Sequence, residues 1–196
     1  EGSELSKEQK IWKRAKQIIP GGNMLFSKRP ERFLPGFWPT YFNKAKGVNI
    51  WTLSGKKYID MSLMGVGTNI LGYSNSKINT QVLSAIKKGN ISTLNSYEEV
   101  KLAEKLIEMH PWFDMARFTR SGGEANAVAI RIARASTNKS KVAFCGYHGW
   151  HDWFIGTTSR NKGIPKNVTQ LTKTFEFNNI VSFLNTINNK PDKFAA

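Results

Sequence analysis

Residues 117–135 read RFTRSGGEANAVAIRIARA. Met115 to Thr119 predicts a short strand, Ser121-Gly122-Gly123 a turn, and the alanine-rich run from Glu124 to Ala135 a helix. Lys141 to Cys145 predicts a second strand. Strand, helix and strand at this length form a parallel crossover unit, the building block of an α/β fold with a mainly parallel sheet and flanking helices. The glycine pair lets backbone N–H groups approach a ligand with no Cβ in the way. The unpaired N–H groups of the first helical turn, with the helix dipole, favour an anion there, and Ser121 adds a hydroxyl. Ala125, Ala127 and Ala129 are small enough to let the helix lie close to a sheet. The pattern is neither the G-x-G-x-x-G fingerprint nor a P-loop, so it does not support a dinucleotide site.

A second stretch follows the second strand: FCGYHGWHDWF, residues 144–154. It leaves the sheet on the same carboxyl edge as the Gly-Gly turn, where ligands of parallel sheets sit. A phosphate at Ser121–Gly123 and an aromatic ring at Tyr147 would hold opposite ends of one flat phosphorylated molecule. Pyridoxal phosphate is such a molecule. Trp150, Trp153 and Phe154 are expected to pack in the core. His151 and Asp152 are expected to share a local hydrogen bond. Cys145, at a strand end, is expected to be a small buried residue. The chain's three histidines come without a carboxylate cluster, which argues against a metal site.

The whole chain has 196 residues, 40% hydrophobic and 22% charged, the composition of a globular protein. Its net charge is +15, from 29 Lys and Arg against 14 Asp and Glu. The basic residues are scattered, densest at 10–16 and 28–32, with no zinc-finger spacing and no RNA-binding aromatic signature. A solvated lysine-rich surface is therefore preferred to nucleic-acid binding, although such a field still attracts small anions. The alternative is a non-catalytic, truncated relative that uses its basic surface as a binding module. A single cysteine excludes an internal disulfide framework. No apolar run approaches the roughly 20 residues that cross a bilayer, and residues 1–17 lack the apolar core of a signal peptide. A cytoplasmic protein is expected.

Elsewhere, residues 4–19 predict an amphipathic helix carrying Leu5, Ile11, Trp12, Ala15, Ile18 and Ile19, stopped by Pro20-Gly21-Gly22. Residues 20–46, rich in proline and aromatics, predict an ordered loop. Val48 to Leu53 and Lys57 to Met61 flank a Ser-Gly turn and predict a β-hairpin, and 62–75 a loop. Lys77 to Lys88 predicts a helix with Ile78, Val82, Ala85 and Ile86 on one face. Ser96-Tyr97-Glu98-Glu99 fits a capping box that opens a helix running to about Met109, with Val100, Ala103, Leu106 and Ile107 inward. Thr172 to Phe175 predicts a strand, Ile180 to Ile187 a helix, and Phe194-Ala195-Ala196 the start of another strand.

Taken together, these motifs resemble the fold-type I, class III aminotransferases, and within them the glutamate-1-semialdehyde aminomutase-like group. SGGEANAVAIRIAR is similar to that family's phosphate turn and following helix, YHGWHD to its Tyr-His-Gly-x-x-Asp element, and GKKYIDM to its Gly-x-x-Tyr-x-Asp hairpin. PGG ahead of an arginine-containing loop resembles its substrate-side region. The match runs from about residue 8 to the end.

The resemblance implies a fold-type I pyridoxal-phosphate transferase. Residues 1–75 would supply a helix, a substrate-side loop and the hairpin of the small domain. Residues 76–196 would supply the first part of the large cofactor domain. Ser121, Gly122 and Gly123 match the positions that bind the cofactor phosphate, with Gly123 standing where threonine is usual. Tyr147 matches the residue that stacks on the pyridine ring, and His148 lies near the cofactor in the family. Glu124 matches a position near the site and equally fits a helix N-terminal acid. Arg29 corresponds to the arginine that pairs a substrate carboxylate, with Arg32 and Lys28 as competitors.

The implied activity is amino-group transfer, as an aminotransferase or an aminomutase, on a small amino-acid-like or amino-sugar-like substrate, in a homodimer. The family's Schiff-base lysine and the aspartate on the pyridine nitrogen correspond to positions beyond Ala196, and neither Lys166 nor Lys173 stands in the expected context. The chain is thus expected to be the N-terminal part of a longer enzyme and inactive alone.

Overall fold

In the computed structural model, which describes residues 5–188 and 190–196, the first helix opens on a reciprocal cap. In α1 (Lys7–Ile18), the Gln9 N–H donates to Ser6 Oγ and the Ser6 N–H to Gln9 Oε1. Trp12 and Ala15 turn inward, whereas Leu5, Ile11, Ile18 and Ile19 stay exposed, so the buried stripe is narrower than the apolar pattern suggests.

Two carboxylates pin this helix. Glu8, only 4% exposed, accepts from the N–H of Ser54 at 3.0 Å and from its hydroxyl at 2.9 Å. Glu31 accepts from Trp12 Nε1 at 2.9 Å and from Lys16 Nζ at 3.4 Å. Both carboxyls are held below their ordinary value against the opposing cost of burial. For Glu8 its own backbone N–H contributes most, followed by Ser54. For Glu31 the Trp12 indole contributes most.

The chain divides after Asn95 into two compact units. In the first, two short 3-10 turns, Phe26–Lys28 and Pro30–Arg32, punctuate the aromatic loop. That loop ends earlier than its composition predicts, because Phe42–Lys46 is a strand, β1. The sequence FNKAK has no apolar alternation. What makes it a strand is pairing with its neighbour. It runs antiparallel to β2 (Asn49–Thr52), and β2 runs antiparallel to β3 (Lys57–Ile59), with Ile50 opposite Tyr58.

Tyr73 extends this sheet by exchanging two backbone bonds with Gly47. Its phenol donates to Asp60 Oδ2 at 2.6 Å. Burial, reinforced by the Asp60 charge, pushes that phenol up to about 12. Helix α2 (Ser76–Lys88) starts where the Asn75 side chain accepts from the N–H groups of Lys77 and Ile78.

In the second unit, α3 (Tyr97–Met109) begins at Ser96 without the expected box. The Ser96 hydroxyl donates to Glu98 Oε2 at 2.7 Å instead of accepting a backbone N–H. A charged acceptor two residues away outcompetes the cap. Residues 115–119 are not a strand either. They pair with no ladder among the described residues, and Met115 is 89% exposed. Helix α4 (Gly122–Thr137) takes both glycines into its first turn and ends on Asn138 in the left-handed conformation.

Then come β4 (Val142–Phe144), α5 (Asp152–Ile155), α6 (Lys166–Thr169), β5 (Thr172–Thr174) and α7 (Ile180–Ile187). The strands β4 and β5 are parallel, with Ala143 opposite Lys173. Lys141 bridges Phe194 in parallel on the other side, where the Ala143 N–H donates to Ala196 O at 2.9 Å. The crossover therefore runs from β4 through α5 and α6 to β5, later in the chain than expected. Val142, Phe144 and Phe154 form the buried centre of this unit. No helix among the described residues is long and apolar enough to cross a membrane.

Because Glu8 titrates low in the folded chain, its contribution is present above the unfolded carboxylate range and is lost as pH falls through the folded value. Glu8→Ala is expected to weaken the attachment of α1 by about 1–3 kcal/mol at neutral pH. Acidification should reproduce the effect in the native sequence. Amide hydrogen exchange at Ser54 is the measurement, and unchanged protection in the variant would contradict the clamp.

Candidate functional site

Ser121 caps α4. Its hydroxyl accepts from the Glu124 N–H at 3.3 Å, and Glu124 Oε2 accepts from the N–H groups of Ser121 at 3.1 Å and Arg120 at 2.8 Å. Glu124 is thus the acid of a capping box, one of the two readings its position allowed. The N–H groups of Gly122 and Gly123 have no acceptor among the described residues. They stand at the positive end of a helix of 16 residues. The inner face of α4 is formed by Asn126, Ala127, Ile130 and Ala133, all half-buried, whereas Ala125 and Ala129 are exposed. Alanines two apart cannot share one face of a helix, which corrects their expected role.

The loop after β4 folds back onto this helix end. Gly149 has φ +101°, and a Cβ built on it would stand 3.1 Å from Gly123 Cα. Two backbones meet here where side chains would hold them apart. Behind the contact, Asn126 Nδ2 donates to the His148 carbonyl at 3.2 Å. His148 Nε2 donates to the Cys145 carbonyl at 2.7 Å, and its ring lies edge-on to Phe144 and Phe154. Cys145 is half-buried and unpaired.

Tyr147 points the other way. It is 77% exposed, touching Phe154 edge-on at 5.6 Å between centroids. Two residues of chain separate it from Gly149, a reach of about 7 Å at most. Ser121, Gly122, Gly123, Tyr147 and His148 thus belong to one loop-and-helix-end assembly.

The other residues of the stretch divide. Phe154 is buried as expected and Trp153 half-buried. Trp150 is not core, being 74% exposed with its indole against the His151 ring. His151 makes no hydrogen bond to Asp152 among the described residues. Its ring turns toward Gly123, with Nε2 3.1 Å from where a Cβ on residue 123 would stand. Asn126, Gly149 and His151 carry this geometry, and none was singled out for it from the sequence. Their common signal is the missing Cβ at residues 123 and 149.

Arg29 lies in the first unit. Its guanidinium covers Gly21 so closely that any Cβ there would collide with it, and it stacks over Phe26 at 5.0 Å. Its Nε is buried with no partner among the described residues. Arg32 stacks over the same ring at 4.6 Å and is exposed, as is Lys28.

The Gly149 contact generates a paired prediction. Gly149→Ala adds a side chain to a left-handed backbone and drives it into Gly123, so a loss of about 1–3 kcal/mol is expected. Gly122→Ala meets open space on a helical backbone and should be neutral or stabilising by up to about 1 kcal/mol. Thermal unfolding of the two variants checks the contrast.

Comparisons with known proteins identify the family of the chain. The family Aminotransferase class-III matches residues 36–193. The chain is 34% identical to the 3-aminobutyryl-CoA aminotransferase of Cloacimonas acidaminovorans (strain Evry), over 97% of this chain and 45% of that protein. It is 33% identical to the glutamate-1-semialdehyde 2,1-aminomutase of Methanococcoides burtonii, over 98% of this chain and 47% of that one. Among solved structures, the FumI protein of Sphingopyxis sp. MTA144, in a form carrying PLP, superposes with TM-score 0.84 at 29% identity, covering 96% of this chain and 44% of its own. An omega-transaminase from Sphaerobacter thermophilus superposes with TM-score 0.84 at 26% identity, covering 97% and 46%. The chain spans about half the length of the curated relatives it matches. By sequence match over most of its length and by its fold-type I architecture, it belongs to the class-III aminotransferase family.

Proposed function

We propose that the whole protein is a pyridoxal-phosphate enzyme that moves an amino group, either between two amino-acid-like substrates or within one. The observation that carries this reading is the contact of the Gly149 backbone with Gly123, which packs the loop bearing the exposed Tyr147 ring against the helix end that has two free N–H groups. The residues present fit the cofactor. A helix N-terminus with two free N–H groups and little room for side chains at Gly123 and Gly149 suits a phosphate, and an exposed phenol suits the face of a flat ring.

In this reading Gly122, Gly123 and Ser121 hold the phosphate, and the Tyr147 ring orients the pyridine. His148 keeps the turn stiff through Cys145 and Phe144. Pyridoxal phosphate, when bound, supplies an aldehyde and an electron-withdrawing ring. The lysine that carries it and the aspartate on its ring nitrogen are expected outside the 196 residues. Residues 76–196 contribute to the cofactor-binding domain, and Arg29 pairs the substrate carboxylate through its planar fork. The protein is expected to be cytoplasmic and to work as a homodimer.

Titrating the whole protein with pyridoxal phosphate should produce an absorbance band at the edge of the visible that borohydride bleaches. Tyr147→Ala should weaken cofactor binding about 3- to 10-fold, and Tyr147→Phe should retain it. Arg29→Ala should raise KM for a carboxylate-bearing amino donor about 10- to 100-fold with little change in kcat. Absence of the band under saturating cofactor would end this reading.

A further inference from the structure

His151 is left without a task by the contacts described so far. Its imidazole occupies the space that a side chain on residue 123 would need, with Nε2 3.1 Å and Cδ2 3.2 Å from the Cβ position. A side chain at 123 would therefore crowd the ring and displace it by at least a few tenths of an ångström. The backbone of His151 is fixed, because its carbonyl accepts from the N–H groups of Phe154 and Ile155 at 2.9 Å. The ring is fixed too, edge-on to Trp150 at 5.0 Å between centroids. Among the described residues neither ring nitrogen has a hydrogen-bond partner. The side chain also makes no capping bond at the start of α5, so helix stability does not explain its position. An unengaged imidazole thus stands next to Gly123, one of the two residues with free N–H groups at the start of α4.

We propose that His151 is a phosphate-positioning residue. Its ring N–H takes the place of a side-chain donor at residue 123 and, with the two glycine N–H groups, holds the phosphate end of the cofactor. This rests on the cofactor assignment made above. An imidazole N–H on a phosphate oxygen is a charge-assisted bond, because the acceptor is ionised. It also explains why residue 123 lacks a side chain, since a Cβ there would push the ring off its donor position.

The test compares equilibrium binding of pyridoxal phosphate with that of pyridoxal, which has no phosphate, to the whole protein by absorbance titration. His151→Ala should lower affinity for pyridoxal phosphate about 10- to 100-fold and leave affinity for pyridoxal within about twofold. His151→Gln, which keeps an N–H donor, should fall between the two. Gly123→Thr alone should weaken phosphate binding, because the new side chain meets the ring. Added to His151→Ala, the same Thr should recover affinity, because the space is then open and the hydroxyl supplies the donor. The proposal is overturned if His151→Ala weakens both ligands equally, if it changes neither, or if the double variant binds no better than His151→Ala. Failure of the native protein to bind either ligand would overturn the cofactor assignment instead.

Discussion

The second unit is organised around a place where two backbones touch. A methyl on Gly149 would stand 3.1 Å from Gly123 Cα, so residue 149 cannot carry one without pushing the loop off the helix. Everything that gives the site its shape follows from this approach. It brings the His148 carbonyl within reach of Asn126, and it sends Tyr147 outward while Phe154 goes in. The loop is then locked from below by aromatic edges, Phe144 against His148 and Phe154, on a strand whose Val142 is almost wholly buried. A flexible sequence becomes a rigid cradle because its freedom is used up in one contact.

The first unit is organised by charge. In a chain of net charge +15, carboxylates are scarce, yet three of them take structural positions. Glu8 satisfies the Ser54 backbone, Glu31 the Trp12 indole, and Asp60 the Tyr73 phenol with Ser62. Most of these donors are neutral, so the carboxylates serve as acceptors more than as ion-pair partners. Such bonds hold without long, entropy-costly lysine side chains. The lysines remain on the surface, where their field draws anions toward the molecule.

Much of this was legible in the residues. The helices from Lys7, Ser76, Tyr97 and Ile180 carry a periodicity that acts locally, all but the one from Tyr97 with a side-chain cap as well, and their observed bounds lie close to the expected ones. The two central motifs come together through the contact of Gly149 with Gly123 rather than along a shared sheet edge, because no strand precedes the Gly-Gly turn among the described residues. What escaped reading was set by partners distant in the chain. Phe42–Lys46 is a strand because β2 pairs with it, although FNKAK shows no alternation. Met115 to Thr119 alternates like a strand, yet nothing among the described residues pairs with it. Trp150 looks like core by composition and is exposed, with its indole against the His151 ring. At the site, the positions of Ser121 to Gly123 and Tyr147 could be anticipated. The roles of Asn126 and Gly149 could not, since a missing side chain leaves no mark on hydropathy.

The packing of Arg29 over Gly21 bears on how this sequence can drift through time. A lineage that acquires any larger residue at 21 displaces the guanidinium at once. A lineage that trades the arginine for a smaller residue removes that collision, while the left-handed backbone at 21, φ +76°, continues to favour glycine. The two sites are therefore inherited as a couple, and their joint presence or joint replacement in descendants would record whether the arginine's duty was kept.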